Sequence, residues 1–170
     1  GFAEADFVIE REFDSKPMHQ GYIEPQGCVA EYSEDGQVDL WCCTQGPYVY
    51  RDRLSAILQI DSSKINVKMS ELGGGFGGKT GFYQEPLAIL LSKKASRPVK
   101  MALTRSEVFR ATGPVSGTSY KIKMGISKDG KITAAEAKLI FQTGIYTGSM
   151  YFNAPNAMFT RYDLEHIYIE

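Results

Sequence analysis

Apolar and polar positions change period several times along the chain, and each change marks an element. Residues 5–13 alternate unevenly and read as a strand. Two further apolar-rich runs, 28–32 and 38–43, flank the polar Ser33-Glu34-Asp35-Gly36 and predict a hairpin. From 48 to 59 the period lengthens: Val49, Leu54, Ile57 and Leu58 fall at helical spacing behind Pro47, a residue suited to a helix's first turn. Strand alternation returns over 65–69. Helical spacing follows over 82–94, carried by Leu87, Ala88, Leu90 and Leu91. Arg97-Pro98 ends that helix, 99–103 reads as a strand, and a short helical turn opens at Arg105. Residues 112–119, rich in Gly, Ser and Pro, read as loop. Alternating runs at 120–126 and 131–141 meet at Lys128-Asp129-Gly130, the strongest hairpin signal in the chain, with Lys121 and Lys123 marking a solvated face. The aromatic, Met- and Asn-rich stretch 144–159, broken by Gly148 and Pro155, reads as core or interface, and 164–169 as a last strand. These elements predict an α+β fold, mixed sheets with packed helices, forming a single domain or fragment over 1–170 without internal repeats.

Between the 65–69 strand and the following helix lies Gly73-Gly74-Gly75-Phe76-Gly77-Gly78-Lys79-Thr80. Glycine at that density serves positive φ or the close approach of another group. Bare loop amides followed by a helix N-terminus suit an anionic ligand. The run also satisfies G-x-x-x-x-G-K-[ST], the phosphate-binding loop pattern, so a nucleotide-binding module is an alternative reading. Two features weaken it: no later apolar strand ends in an acid to hold magnesium, and the loop follows a hairpin and a helix. Elsewhere, His19 and Glu24 stand in a Pro- and Gly-punctuated segment, 16–27. Such a pair can do acid–base work; the simpler reading is that both satisfy backbone groups. Gln45, at a strand end ahead of a helix, carries an amide that donates and accepts together.

Composition narrows the classes. A chain of 170 residues with 43% hydrophobic residues is long enough to bury a core. A formal net charge of -1 gives no electrostatic draw toward nucleic acid or a membrane surface. No apolar run reaches spanning length, and no signal peptide is evident. Cys28, Cys42 and Cys43 make no C-x-x-C and have only His19 and His166 for company, so a structural zinc site is discounted. They read instead as buried, reduced thiols on strands of a cytoplasmic protein. The opening at Gly1 and the close inside a strand-like run read as a piece of something longer.

Taken in order, the motifs resemble the molybdenum-binding subunit of the xanthine oxidase family, the molybdenum hydroxylases. Glu24-Pro25 precedes the first hairpin; Thr44-Gln45 with Pro47 follows it; then come Gly73 to Lys79, Arg97-Pro98-Val99-Lys100, Thr104-Arg105-Ser106-Glu107 and the Asp129-Gly130 hairpin. The resemblance covers essentially the whole chain and corresponds to the first part of a molybdopterin cofactor-binding region. It implies part of a catalytic subunit that hydroxylates an aldehyde, N-heterocycle or related carbon centre, with water as oxygen source. Gln45 then resembles the glutamine whose amide meets an oxygen ligand of molybdenum. Phe76 and Gly77 resemble residues that present backbone N–H beside that centre, while Gly74, Gly75 and Gly78 let the backbone close in.

Thr80 stands where purine-hydroxylating members carry a glutamate, and Asn156 lies where their substrate-facing arginine has no match. Both are substrate-pocket candidates, and together they point away from xanthine. An aldehyde, another heterocycle, an aromatic thioester and carbon monoxide remain open. The resemblance implies no direct protein ligand to the metal, which the pterin dithiolene holds. It further implies molybdopterin in the cytosine dinucleotide form, with 2Fe-2S clusters and FAD on other subunits or domains. The partners implied are the rest of the molybdenum subunit, the iron–sulfur and FAD subunits, and a small-molecule substrate. The catalytic glutamate is expected beyond Glu170, so the 170 residues alone are expected to be inactive. A non-catalytic scaffold fragment that keeps the fold without the cofactor is the remaining alternative.

Overall fold

The structure, a computed structural model, describes residues 1–144 and 153–170. Its elements run β1 (Phe7–Ser15), β2 (Gly27–Tyr32), β3 (Val38–Cys42), α1 (Pro47–Leu58), β4 (Ile65–Met69), α2 (Glu85–Ala95), β5 (Val99–Ala102), α3 (Arg105–Ala111), β6 (Thr118–Ile126), β7 (Ile132–Phe141), α4 (Ala154–Met158) and β8 (Ile167–Ile169). They form two compact units, one of residues 19–115 and one of residues 1–18 with 116–170.

In the 19–115 unit the strand order is β4-β3-β2-β5. The β2–β3 hairpin pairs Cys28 with Cys42 and Ala30 with Leu40; β5 joins β2 antiparallel, and β4 joins β3 parallel after the α1 crossover. Because side chains alternate across a strand, this register puts Cys28, Ala30, Val38, Leu40, Cys42 and Ile65 on one face. Tyr50 and Leu54 of α1 and Ala88 and Ile89 of α2 cover that face. A large apolar side chain buried this way contributes roughly 1.5–3 kcal/mol. Both helices carry proline in the first turn, Pro47 and Pro86, where its missing N–H costs nothing. A capping box opens α3: Thr104 Oγ1 accepts the Glu107 amide while Glu107 accepts the Thr104 amide.

Two details of α2 depart from the sequence pattern. The helix starts at Glu85 rather than 82, because the Glu85 carboxyl takes the Tyr83 amide at 2.7 Å and Phe82 turns edge-on to Tyr50. Its buried face is Glu85, Ala88, Ile89 and Ser92, whereas Leu87, Leu90 and Leu91 are exposed. Ser92 is satisfied in the core: its hydroxyl donates to Arg97 O at 2.8 Å and accepts from Tyr32 N at 3.0 Å. The three cysteines are free and buried, as the sequence implied. Burial, reinforced by the nearby Glu85 carboxyl, pushes the Cys28 thiol up to about 12 and Cys42 further, so both are inert.

The other unit is a sheet of order β1-β6-β7-β8. Its central hairpin, β6–β7, forms around Asp129-Gly130 as the pattern predicted, with Gly130 at φ 85°. Lys121 on the charged face meets Glu10 at 2.7 Å, an exposed pair of small energetic weight. Ala135 and Ala137 of β7 pack against Phe159. Pro155 does not break structure here; it occupies the first turn of α4. Half of the expected apolar stretch, residues 145–152, lies outside the described residues. No helix among the described residues is long and apolar enough to cross a membrane.

Candidate functional site

Three segments of the 19–115 unit meet around the glycine loop: residues 19–26, the end of β3 with Thr44-Gln45-Gly46, and residues 73–80. Tyr22, 1% exposed, is the plank beneath the loop. Gln26 Nε2 donates to its hydroxyl, which donates to Thr112 Oγ1 at 3.4 Å; that oxygen in turn donates to Val108 O at 2.6 Å. His19 Nδ1 accepts the Gly21 amide at 3.0 Å, which leaves Nε2 to carry the proton and donate to Thr112 Oγ1 at 2.7 Å. Burial and the nearby Arg105 lower the His19 pKa, which favours the neutral ring. His19 and Glu24 therefore form no acid–base pair. Each satisfies a backbone amide, the simpler of the two readings.

Residues 75–78 make a tight turn, with the Gly78 amide donating to Gly75 O at 2.7 Å. Its two central residues both have left-handed backbone, Phe76 at φ 49° and Gly77 at φ 86°. Glycine at 77 meets that demand without strain, whereas phenylalanine at 76 is held there at a cost of roughly 1–2 kcal/mol. The Phe76 ring is 71% exposed, so no packing within this unit explains the strain. Strained backbone under an exposed aromatic ring is a mark of a ligand-facing residue. Glycines 75 and 78 are required by close approach. A Cβ on Gly75 would lie 2.5 Å from Gln45 Oε1, and one on Gly78 would lie 2.7 Å from Tyr22 Cε1.

Gln45 is tied to the loop by both backbone and side chain. Its amide donates to Lys79 O at 2.9 Å, and its Oε1 accepts the Gly77 and Lys79 amides at 3.0 and 3.2 Å. Thr44 Oγ1 adds a bond to Lys79 O at 3.2 Å and receives the Gly46 amide at 3.1 Å. With Oε1 engaged, Gln45 presents Nε2 as a donor that makes no hydrogen bond among the described residues. The Gly77 amide, a candidate for facing a cofactor, is given to Gln45 instead. The Gly74, Gly75 and Phe76 amides, like that of Thr80, make no hydrogen bond among the described residues.

The phosphate-loop reading fails on Lys79. In such a loop the lysine reaches out to phosphate; here it is fully buried and its Nζ pairs with Glu24 Oε2 at 2.6 Å. Nor does α2 begin at the loop: Gly81 to Gln84 intervene, so no helix N-terminus faces the glycines. Thr80 is exposed, with its hydroxyl turned back onto Gly77 O at 2.8 Å. Asn156, the second pocket candidate, is exposed on α4 in the other unit. Sequence reasoning missed Tyr22 and the inward role of Lys79. No local signal marks either, since the partners are fixed only by the fold.

What the loop offers is a short row of hydrogen-bond donors, Gly74 N, Gly75 N, Phe76 N and Gln45 Nε2, beside an exposed aromatic ring. No group of three or more His, Cys, Asp or Glu among the described residues is placed to hold a metal. Fold and loop thus define an α+β unit with a glycine-loop site suited to a ligand that brings hydrogen-bond acceptors. Comparison with known proteins then gives the family. The model of the molybdopterin cofactor-binding domain matches residues 1–170, and the chain belongs to that family.

The chain is 34% identical over 146 residues to a probable xanthine dehydrogenase subunit of Bacillus subtilis (strain 168), covering 86% of this chain and 20% of that protein. It is 28% identical over 145 residues to the nicotinate dehydrogenase large molybdopterin subunit of Eubacterium barkeri, covering 85% of this chain and 34% of that one. Quinoline 2-oxidoreductase from Pseudomonas putida 86 superposes with a TM-score of 0.72 at 29% identity, over 85% of this chain and 19% of that structure. The chain thus spans between a fifth and about a third of the length of these relatives. The resemblance drawn from Thr44-Gln45 and the glycine run is borne out, as is the α+β fold.

Proposed function

We propose that the chain is the first part of the cofactor-binding region in the catalytic subunit of a molybdenum hydroxylase. The observation that carries this reading is the set of unpartnered donors on the glycine loop, held open by Gln45 and beside Phe76. These donors suit a molybdopterin, in the cytosine dinucleotide form, whose phosphate oxygens and sulfur atoms accept hydrogen bonds. Gln45 Nε2 and the amides of Gly74, Gly75 and Phe76 would hold it, with Gly77 and Gly78 shaping the turn, and no protein side chain would be needed to ligate the metal. When bound, the cofactor supplies two-electron oxidation of a carbon centre with oxygen from water.

The chain's own share is placement. Gln45 Oε1 is fixed by two amides, so Nε2 points in one direction without further ordering at the moment of reaction. Thr80, neutral and hydrogen-bonded to the loop, is the proposed substrate-facing residue. The names of the relatives, xanthine, nicotinate and quinoline enzymes, favour an N-heterocycle as substrate, with an aldehyde second. Thr80 in place of a glutamate, an acceptor-only carboxylate, favours a heterocycle less rich in N–H donors than a purine. The remainder of the subunit contributes the catalytic carboxylate. Iron–sulfur and FAD partners take the electrons.

The test is turnover of the whole protein in 18O-enriched water, with a dye acceptor and a panel of N-heterocycles and aldehydes. Product carrying label from water supports the proposal. Molybdenum-replete protein that oxidises nothing in the panel, or inserts oxygen from O2, overturns it.

A further inference from the structure

The geometry points to Lys79 as the positioning residue of the cradle: its buried ammonium and the half-buried Glu24 carboxylate form a clasp that sets where the loop amides and Gln45 Nε2 lie. The inference rests on the cradle reading above and goes beyond it, because Lys79 itself faces away from the donor row.

Lys79 is 0% exposed. Its Nζ lies 2.6 Å from Glu24 Oε2 and 5.0 Å from the Tyr22 ring centroid. The same Glu24 oxygen takes the Gly73 amide at 2.8 Å, and the Glu24 amide returns a bond to Gly73 O at 3.2 Å. Through its backbone, Lys79 donates to Gln45 Oε1 and accepts from Gln45 N and Thr44 Oγ1. One residue therefore joins the entry of the loop at Gly73, its exit at Lys79, and the side chain that carries the free donor. The donor row hangs between these fixed ends.

Charge makes the arrangement specific. Burying an ammonium is unfavourable unless it is paired, and an apolar pair of similar volume is commonly as stable or more so. Stability alone therefore does not call for Lys79. A clasp of defined length and direction does, because Nζ and Oε2 meet in one geometry while an apolar contact permits several. Burial works to raise the Glu24 carboxyl, and the bonds from Lys79 and Gly73 outweigh it, keeping the partner ionised.

The test uses the whole molybdenum-replete protein with Lys79→Met, and with Lys79→Met combined with Glu24→Met. Three quantities are measured: molybdenum per polypeptide after exhaustive dialysis, the Mo(V) electron paramagnetic resonance signal, and the melting temperature of the cofactor-free protein. The expected result is retention about 10- to 100-fold weaker, as for other residues that orient ligand-holding groups. The Mo(V) signal of the metal that remains is altered, and the double variant melts close to wild type. Full metal content with a wild-type signal in either variant overturns the inference. So does metal loss that merely follows a loss of melting temperature across both. Should Lys79→Met fail to fold, the double variant decides alone, since it leaves no buried charge unpaired. Wild-type protein without molybdenum overturns the cradle reading and this inference together, whereas unaffected variants of a molybdenum-containing wild type overturn the inference only.

Discussion

Two glycines in one loop, three residues apart, respond differently to the same substitution. At Gly78 an alanine Cβ would stand 2.7 Å from Tyr22 Cε1 and 3.1 Å from Gln20 Cδ, well short of the 3.4 Å at which ordinary contact begins. Tyr22 is 1% exposed and its hydroxyl is fixed by Gln26 and Thr112, so retreat breaks a buried network. Overpacking of this kind costs about 1–3 kcal/mol, a fall of roughly 2–12 °C for a domain of this size. At Gly75 the Cβ would meet Gln45 Oε1 at 2.5 Å, the far end of an exposed side chain free to swing into water. The loss there is the pair of bonds from Gly77 and Lys79: solvent takes the exposed Gly77 amide, while the buried Lys79 amide loses its acceptor, together about 1–2 kcal/mol, or about 2–8 °C. Function responds in the reverse sense. Gly75→Ala removes the oriented Gln45 Nε2 and is expected to lower cofactor retention about tenfold or more. The assay is a thermal melt of the metal-free protein with molybdenum content of the loaded one. A Gly75→Ala protein that melts as low as Gly78→Ala, or that keeps its full cofactor, refutes the reasoning.

Other expectations are simpler. Phe76→Gly relieves left-handed strain but adds freedom to the unfolded chain, so its stability should stay within about 1 kcal/mol of wild type while cofactor retention falls. A drop of many degrees in melting temperature would mean that the ring packs within the protein. Burial pushes the Glu85 carboxyl up against opposing backbone amides, so the folded protein holds this proton more tightly than the unfolded chain does. Its stabilising contribution is full below the ordinary carboxylate range and is lost as pH rises through the raised value. Glu85→Gln should therefore gain on wild type in melting temperature as pH rises from about 5 toward alkaline values (steps of roughly one unit suffice); a pH-independent difference counts against a raised pKa. Thr44→Val deletes a fully buried hydroxyl that serves both Lys79 O and the Gly46 amide. The expected loss is about 1–3 kcal/mol by chemical denaturation, and a neutral effect would mean that other groups satisfy both.

Much of the fold was legible because it is local. Period two over β2 and β3, the Asp129-Gly130 turn and Pro47 at a helix start all act within a few residues, and all appear where the pattern put them. The helix after the loop was legible in type but not in face. Leu87, Leu90 and Leu91 make the better apolar stripe, yet Glu85 and Ser92 go inside because Tyr83, Tyr32 and Arg97 supply hydrogen bonds that the sequence does not announce. The same limit governs the site. The glycines announced close approach, but not what approaches: Tyr22 and Gln45 come from distant segments. Lys79 was the most misleading residue, since its motif fits an outward phosphate-binding lysine. What turns it inward is Glu24, 55 positions away in the chain.

The most direct test is molybdenum content of the whole protein, purified from molybdate-supplied cells, together with the nucleotide released by mild acid. Near-stoichiometric molybdenum with released CMP is the predicted result. Absence of molybdenum, with ATP or ADP bound in its place, would contradict it and return the glycine loop to nucleotide binding.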